Sequence, residues 1–166
     1  MGELIELIAA CAFGLEATVK RDLQKLGYEP RVLVPGRVAF KAEPSAICMT
    51  NLWLRTADRI LINLATFEAK DFDILFESTQ KIAWDRWLPR DAQFPVTGKS
   101  IKSQLSSVPA IQRTVKKASV LGMQAQHGTS ELTDTGPLFR LEAALHHDLA
   151  MITWDTTGPS LHRRGY

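Results

Sequence analysis

The chain has 166 residues, of which 45% are hydrophobic and 23% charged, with a formal net charge of +2. That composition can bury roughly 70% of the unfolded surface without a disulfide or metal staple, and ordinary counts of Gly and Pro exclude disordered and collagen-like chains. Cys11 and Cys48 lie far apart with no CxxC spacing, which excludes a disulfide framework or a cysteine zinc site and fits a reducing cytoplasm.

From the start, Glu3 to Ala10 is a short apolar run bounded by Gly2 and Gly14, which predicts a buried strand. The stretch Leu4 to Phe13 is broken by Glu6, lacks a basic leader and is too short to cross a bilayer, so no membrane attachment is expected. Leu15, Val19, Leu23 and Leu26 recur at helical spacing, Glu16 and Lys20 form an i,i+4 pair, and Gly27 supplies the stop. Arg31–Val34 and Arg37–Lys41 are β-branched runs around Pro35-Gly36 and predict a hairpin. Pro44 suits the first turn of a helix to about Leu54, and Arg59–Phe67 alternates as a strand. The order βαββαβ is the ferredoxin-like split βαβ unit, with two helices on one face of a four-stranded sheet, closing near residue 69.

A second unit opens at Lys70-Asp71, where Phe72, Leu75, Phe76 and Thr79 share one side of a helix that Asp71 can cap. A Trp-rich turn (Trp84, Trp87, Pro89), a strand Gln93–Thr97, a helix from about Ser107 to Leu121 and a polar linker His127–Pro137 follow. Two alternating strands, Phe139–His146 and Ala150–Asp155, finish the unit around a turn near His147-Asp148. The predicted class is α+β.

Charge is unevenly distributed. Between Asp91 and Glu131 lie Lys99, Lys102, Arg113, Lys116 and Lys117 without an intervening acid. At about 100° per residue, Arg113, Lys116 and Lys117 fall on one third of their helix, opposite Val108, Ile111, Val115 and Ala118. Phosphate is the natural partner of such a face, through counterion release and through backbone N–H groups expected at the helix start near Ser106-Ser107. Ser100, Ser103, Gln104, Ser106 and Ser107 add uncharged donors. His162, Arg163 and Arg164 form a second basic group, although a solvated face or a solubilising terminus would carry the same charges. Adjacent His146 and His147, in or beside a strand, should point to opposite faces and share no metal in regular geometry, and they read first as a surface turn. Cys11 and Cys48 read as inert hydrophobes, and the tryptophans as core or interface anchors. No Walker loop, GxGxxG or HExxH is present.

The segments GLEATVKRDLQKLGY (Gly14–Tyr28), NLWLRTADRILINLATF (Asn51–Phe67), FESTQKIAWDRWLPRDAQFPVTGKSIKSQL (Phe76–Leu105) and WDTTGPSLHRRGY (Trp154–Tyr166) resemble, over nearly the whole chain, the N-terminal half of bacterial rRNA guanine-N2 methyltransferases with a THUMP domain. The likeness is strongest to the Gram-positive branch often labelled N6-adenine-specific DNA methylases. The resemblance implies a ferredoxin-like domain over 1–69, a THUMP RNA-binding domain over 70–157, and a junction at 158–166 leading to a Rossmann-type methyltransferase domain. The family's glycine-rich S-adenosylmethionine loop and NPPY-type catalytic tetrapeptide occur nowhere in these residues. The chain is therefore expected to carry no cofactor or catalytic residue and to be inactive alone. Lys99, Ser100, Lys102, Arg113, Lys116, Lys117, Arg163 and Arg164 are the expected RNA-binding residues. The implied partner is structured RNA, ribosomal RNA first. The rival readings are a free-standing THUMP adaptor that delivers RNA to a separate enzyme, and a ferredoxin-like module that senses a small molecule.

Overall fold

The structure is a computed structural model that describes residues 4–47 and 57–156. Two compact units emerge, and β4 (Ala57–Glu68) passes from one to the other at Asn63–Leu64. Asp155 and Thr156 return to the first unit, where the Thr156 hydroxyl donates to the Ile60 carbonyl at 2.7 Å.

In the first unit the sheet order is β2 (Arg31–Val34), β3 (Arg37–Ala42), β1 (Ile5–Cys11), β4. The three pairings are antiparallel. This is the order expected of a split βαβ unit. The Pro35-Gly36 turn joins β2 to β3 with Gly36 at φ +83°, and a Cβ there would lie 3.0 Å from the Phe13 ring. Helix α1 (Glu16–Lys25) packs against β1, β2 and β3 and buries Val19 and Leu23. Leu15 stays exposed at its N-cap. Of the expected helix from Pro44, Ala46 and Ile47 are helical; the remainder, with Cys48 and Trp53, lies outside the described residues.

In the second unit the order is β4, β7 (Leu149–Asp155), β6 (Arg140–His146), β5 (Val96–Ile101). Strands β5 and β6 run parallel. Helix α2 (Phe72–Gln80) starts where expected, because the Asp71 carboxylate accepts from the Ile74 N–H at 2.8 Å. The Trp-rich segment is a short helix, α3 (Trp84–Trp87), rather than a turn. Trp84 is fully buried, and its indole N–H donates to the Thr79 carbonyl at 3.0 Å.

Two expected boundaries shift. The strand expected at Gln93–Thr97 occupies Val96–Ile101; Gln93 makes only an isolated bridge to Leu138, and Pro95 between them has no N–H to give a ladder. The helix expected to stop at Leu121 runs on as α4 (Val108–His127) and ends at Gly128, φ +63°. Gly122 does not break it, because this residue is where α4 closes onto Trp84 and the Gln80 carbonyl. The core gathers Leu75, Trp84, Leu88, Ile111, Met123 and Leu141. The linker after α4 lacks regular structure but is pinned: the Gly136 N–H donates to the Asp91 carbonyl, and the Gln93 amide to the Gly136 carbonyl at 2.9 Å.

Candidate nucleic-acid interface

Ile111, Val115 and Ala118 of α4 are buried, which turns Arg113 and Lys117 outward into solvent. Among the described residues neither forms an ion pair, so both cations remain available to an anion. They border a shallow depression of about 510 Å³ with Pro95, Val96, Gln112 and Lys116.

Lys116 behaves differently from its two neighbours. It is half-buried, its Nζ donates to the Phe94 carbonyl at 2.9 Å, and the same nitrogen stands 3.7 Å from the Phe94 ring centroid. Burial pushes its pKa below the ordinary lysine value, with Asp134 acting in the opposite direction. Period alone put Lys116 on the cationic face. Phe94, brought against α4 by the segment leading into β5, draws the ammonium inward.

Lys99 and Lys102 are exposed at the far end of β5, away from Arg113 and Lys117. The intervening residues face α4: a Cβ on Gly98 would meet Val108 and Gln112 at 3.1 and 2.9 Å, and the Gln112 amide donates to the Val96 carbonyl. The basic residues gathered by sequence thus fall into two groups, one on the helix and one at the strand end. The Ser100 hydroxyl donates to the Leu105 carbonyl at 2.7 Å and holds the loop. Arg163 and Arg164 lie outside the described residues.

The start of α4 differs from expectation. Ser107 Oγ accepts from the Ala110 N–H, the Ile111 N–H donates to the Ser107 carbonyl, and Pro109 has no N–H. The first turn therefore offers few of the open donors an anion would need. The histidines sit at the turn expected there, but their side chains are not held to opposite faces. His146 ends β6, but His147 and Asp148 turn at positive φ, and the two rings meet with centroids 4.6 Å apart. The turn near His147-Asp148 was legible in the sequence; the approach of the two rings was not. No group of His, Cys, Asp and Glu suited to a metal occurs among the described residues, and none of their helices is long and apolar enough to cross a membrane. Cys11 is buried and unbridged, its thiol pushed to higher pKa first by burial and then by Glu16 and Asp58.

Residues 6–61 match the RlmL ferredoxin-like domain and residues 69–155 match the THUMP domain. The chain belongs to the THUMP family. Its THUMP domain therefore carries both basic groups described above. The chain is 48% identical over 162 residues to the Bacillus subtilis protein named "Putative RNA methyltransferase YpsC", covering 96% of this chain and 42% of that one. A Listeria monocytogenes structure described as a "predicted N6-adenine-specific DNA methylase" superposes with a TM-score of 0.93 at 47% identity, over 99% of this chain and 43% of that one. The structure of SMU.472, "a putative methyltransferase complexed with SAH", gives a TM-score of 0.90 at 42% identity, over 100% of this chain and 45% of that one. The THUMP chain thus spans less than half the length of each of these three relatives.

Proposed function

We propose that this chain is the RNA-binding portion of an S-adenosylmethionine-dependent RNA methyltransferase. It holds structured RNA, ribosomal RNA first, while a methyltransferase domain outside these residues alkylates a guanine exocyclic amine. The observation that carries this reading is the match along almost the whole chain to a relative named as an RNA methyltransferase, of which the chain covers 42%. The chemistry agrees: Arg113 and Lys117 on α4, Lys99 on β5 and Lys102 just beyond it are exposed cations. Duplex RNA closes its major groove to side chains and leaves phosphates and 2′-hydroxyls to be gripped. Arg163 and Arg164 would extend that grip, and the cytoplasm is the compartment where such an RNA is made and modified.

S-adenosylmethionine does not fit the described residues. The strand–glycine–helix turn between β1 and α1 is the place to look for a cradle. There the Glu16 carboxylate already accepts from the Gly14 and Gly36 N–H groups, each at 2.8 Å. In this reading the cofactor belongs to the methyltransferase domain proposed outside these residues.

Salt-dependent RNA binding tests the proposal. Filter binding of a structured rRNA fragment should give an affinity that falls steeply with salt, each lost phosphate contact lowering the slope by roughly 0.7 to 0.9. An affinity indifferent to salt would leave the small-molecule sensor as the better reading.

A further inference from the structure

Four non-glycine residues among those described have positive φ, and three of them meet at one place: Lys102 (46°), His147 (50°) and Asp148 (67°). Left-handed backbone at non-glycine positions is costly and persists where surrounding contacts impose it, often at binding sites. Here the contacts are dense. The His147 N–H donates to the Ile101 carbonyl at 3.0 Å, the Asp148 N–H to Ser103 Oγ at 2.9 Å, and the Gln104 N–H to Asp148 Oδ1 at 2.7 Å. Ser103 Oγ in turn donates to the Ile101 carbonyl at 3.0 Å. The loop after β5 and the β6–β7 turn are locked together through their polar groups, while the Lys102 and His147 side chains remain exposed.

The parallel register sets what surrounds them. Lys99 pairs with Ala144 and Ile101 with His146, so Lys99 and His146 stand on the same face of the sheet, two positions apart. That face is opposite α4, because Gly98 is the residue that meets Val108 and Gln112. The His146 and His147 rings lie with centroids 4.6 Å apart and planes tilted by 51°. Two acids lie nearby: Asp148, whose carboxylate accepts from the Gln104 N–H and keeps its charge, and Glu142, buried lower on β6. Glu68, which reaches the turn through the Ala69 N–H to Asp148 carbonyl bond, pairs with Lys70 at 3.2 Å. What faces solvent is an excess of cations with two imidazoles among them.

We propose that Lys99, Lys102, His146 and His147 form a second phosphate-contact site for RNA, at the opposite end of β5 from Arg113 and Lys117, which grips the backbone most tightly when the His146 imidazole is protonated. This rests on the RNA-binding reading and adds to it a second contact about 10 to 16 Å from Val96 along the strand. Without ligand, burial, then His147, Lys102 and Lys99, hold the His146 pKa below its ordinary 6.5. A phosphate among these cations favours the charged ring and raises that pKa, so binding takes up a proton. Affinity therefore falls as pH rises from the free toward the bound pKa, and is flat above both.

The test uses the 166-residue chain and a structured RNA hairpin, with affinity measured at about pH 5.5 and about pH 8. The wild type should bind roughly 3- to 10-fold tighter at the lower pH, the ratio expected if binding raises the His146 pKa by about half to one unit. His146→Gln with His147→Gln should bring that ratio to about 1, while Lys99→Gln with Lys102→Gln should lower the salt slope by roughly 1 to 2. A ratio that survives the histidine substitutions overturns the site. Proton NMR of the His146 ring supplies the independent arm. Tripolyphosphate should raise its pKa, and an unmoved pKa overturns the site even where RNA binds. A pKa raised by tripolyphosphate in a chain that binds no RNA at either pH overturns RNA as the occupant, and with it the parent reading.

Discussion

A Cβ at position 122 would lie 2.6 Å from Trp84 Cδ1 and 2.7 Å from the Gln80 carbonyl oxygen. One obstacle is a fully buried indole and the other is backbone, so neither can yield cheaply. Gly122→Ala should therefore destabilise the THUMP domain by about 1 to 3 kcal/mol despite the higher helix propensity of alanine, seen as a lower urea midpoint at unchanged m. Unchanged stability would mean that α4 can slide from Trp84. Glu16 makes a different kind of constraint. Its own N–H first, then those of Gly36 and Gly14, hold its carboxyl below the usual 4.5. A depressed carboxylate contributes stability that is complete above its unfolded pKa and is lost as pH falls through the folded one. Glu16→Gln should then lower Tm at neutral pH, and the gap to wild type should narrow progressively as pH falls below 4.5. A gap that stays constant into acid would sink this account. The sequence pointed instead to a Glu16–Lys20 pair; the Gly36 contact needed the β2–β3 turn to arrive from 20 residues away.

Helix α4 shows how far periodicity reaches. Its buried stripe, Ile111, Val115 and Ala118, was legible from spacing, because burial on a packed helix follows the 3.6-residue turn. The exposure of Arg113 and Lys117 was legible for the same reason. Lys116 was not, since the Phe94 carbonyl and ring that hold its ammonium come from another segment. The three cations should therefore separate on mutation. Arg113→Glu with Lys117→Glu should weaken RNA binding and lower its salt slope by about 2. Lys116→Met should act mainly on stability, leaving the slope within experimental error. A slope that responds to Lys116→Met as strongly as to the double substitution would return this residue to the RNA footprint. At the other end of the helix, the stop expected before Gly122 failed because propensity is a weak prior against a close helix contact.

At the scale of the whole molecule, titration calorimetry with S-adenosylmethionine should give no heat of stoichiometric binding to the 166 residues, while the same chain binds structured RNA. Stoichiometric cofactor binding would overturn the assignment of the cofactor to a domain outside these residues. The sequence by itself determined the α+β class, the ferredoxin-like character of the first unit, the Asp71 start of α2 and the gathering of base-rich, acid-free residues between 91 and 131. These depend on local pattern: alternation, helical spacing, a capping carboxylate and turn residues act over a few positions. Only the tertiary structure decided that Lys99 and Lys102 stand apart from Arg113 and Lys117, that Lys116 turns inward, and that His146 and His147 join the strand-end group. Each of these was set by a strand register or a backbone turn that brings distant segments together, and no local pattern in either segment records which partner it will meet.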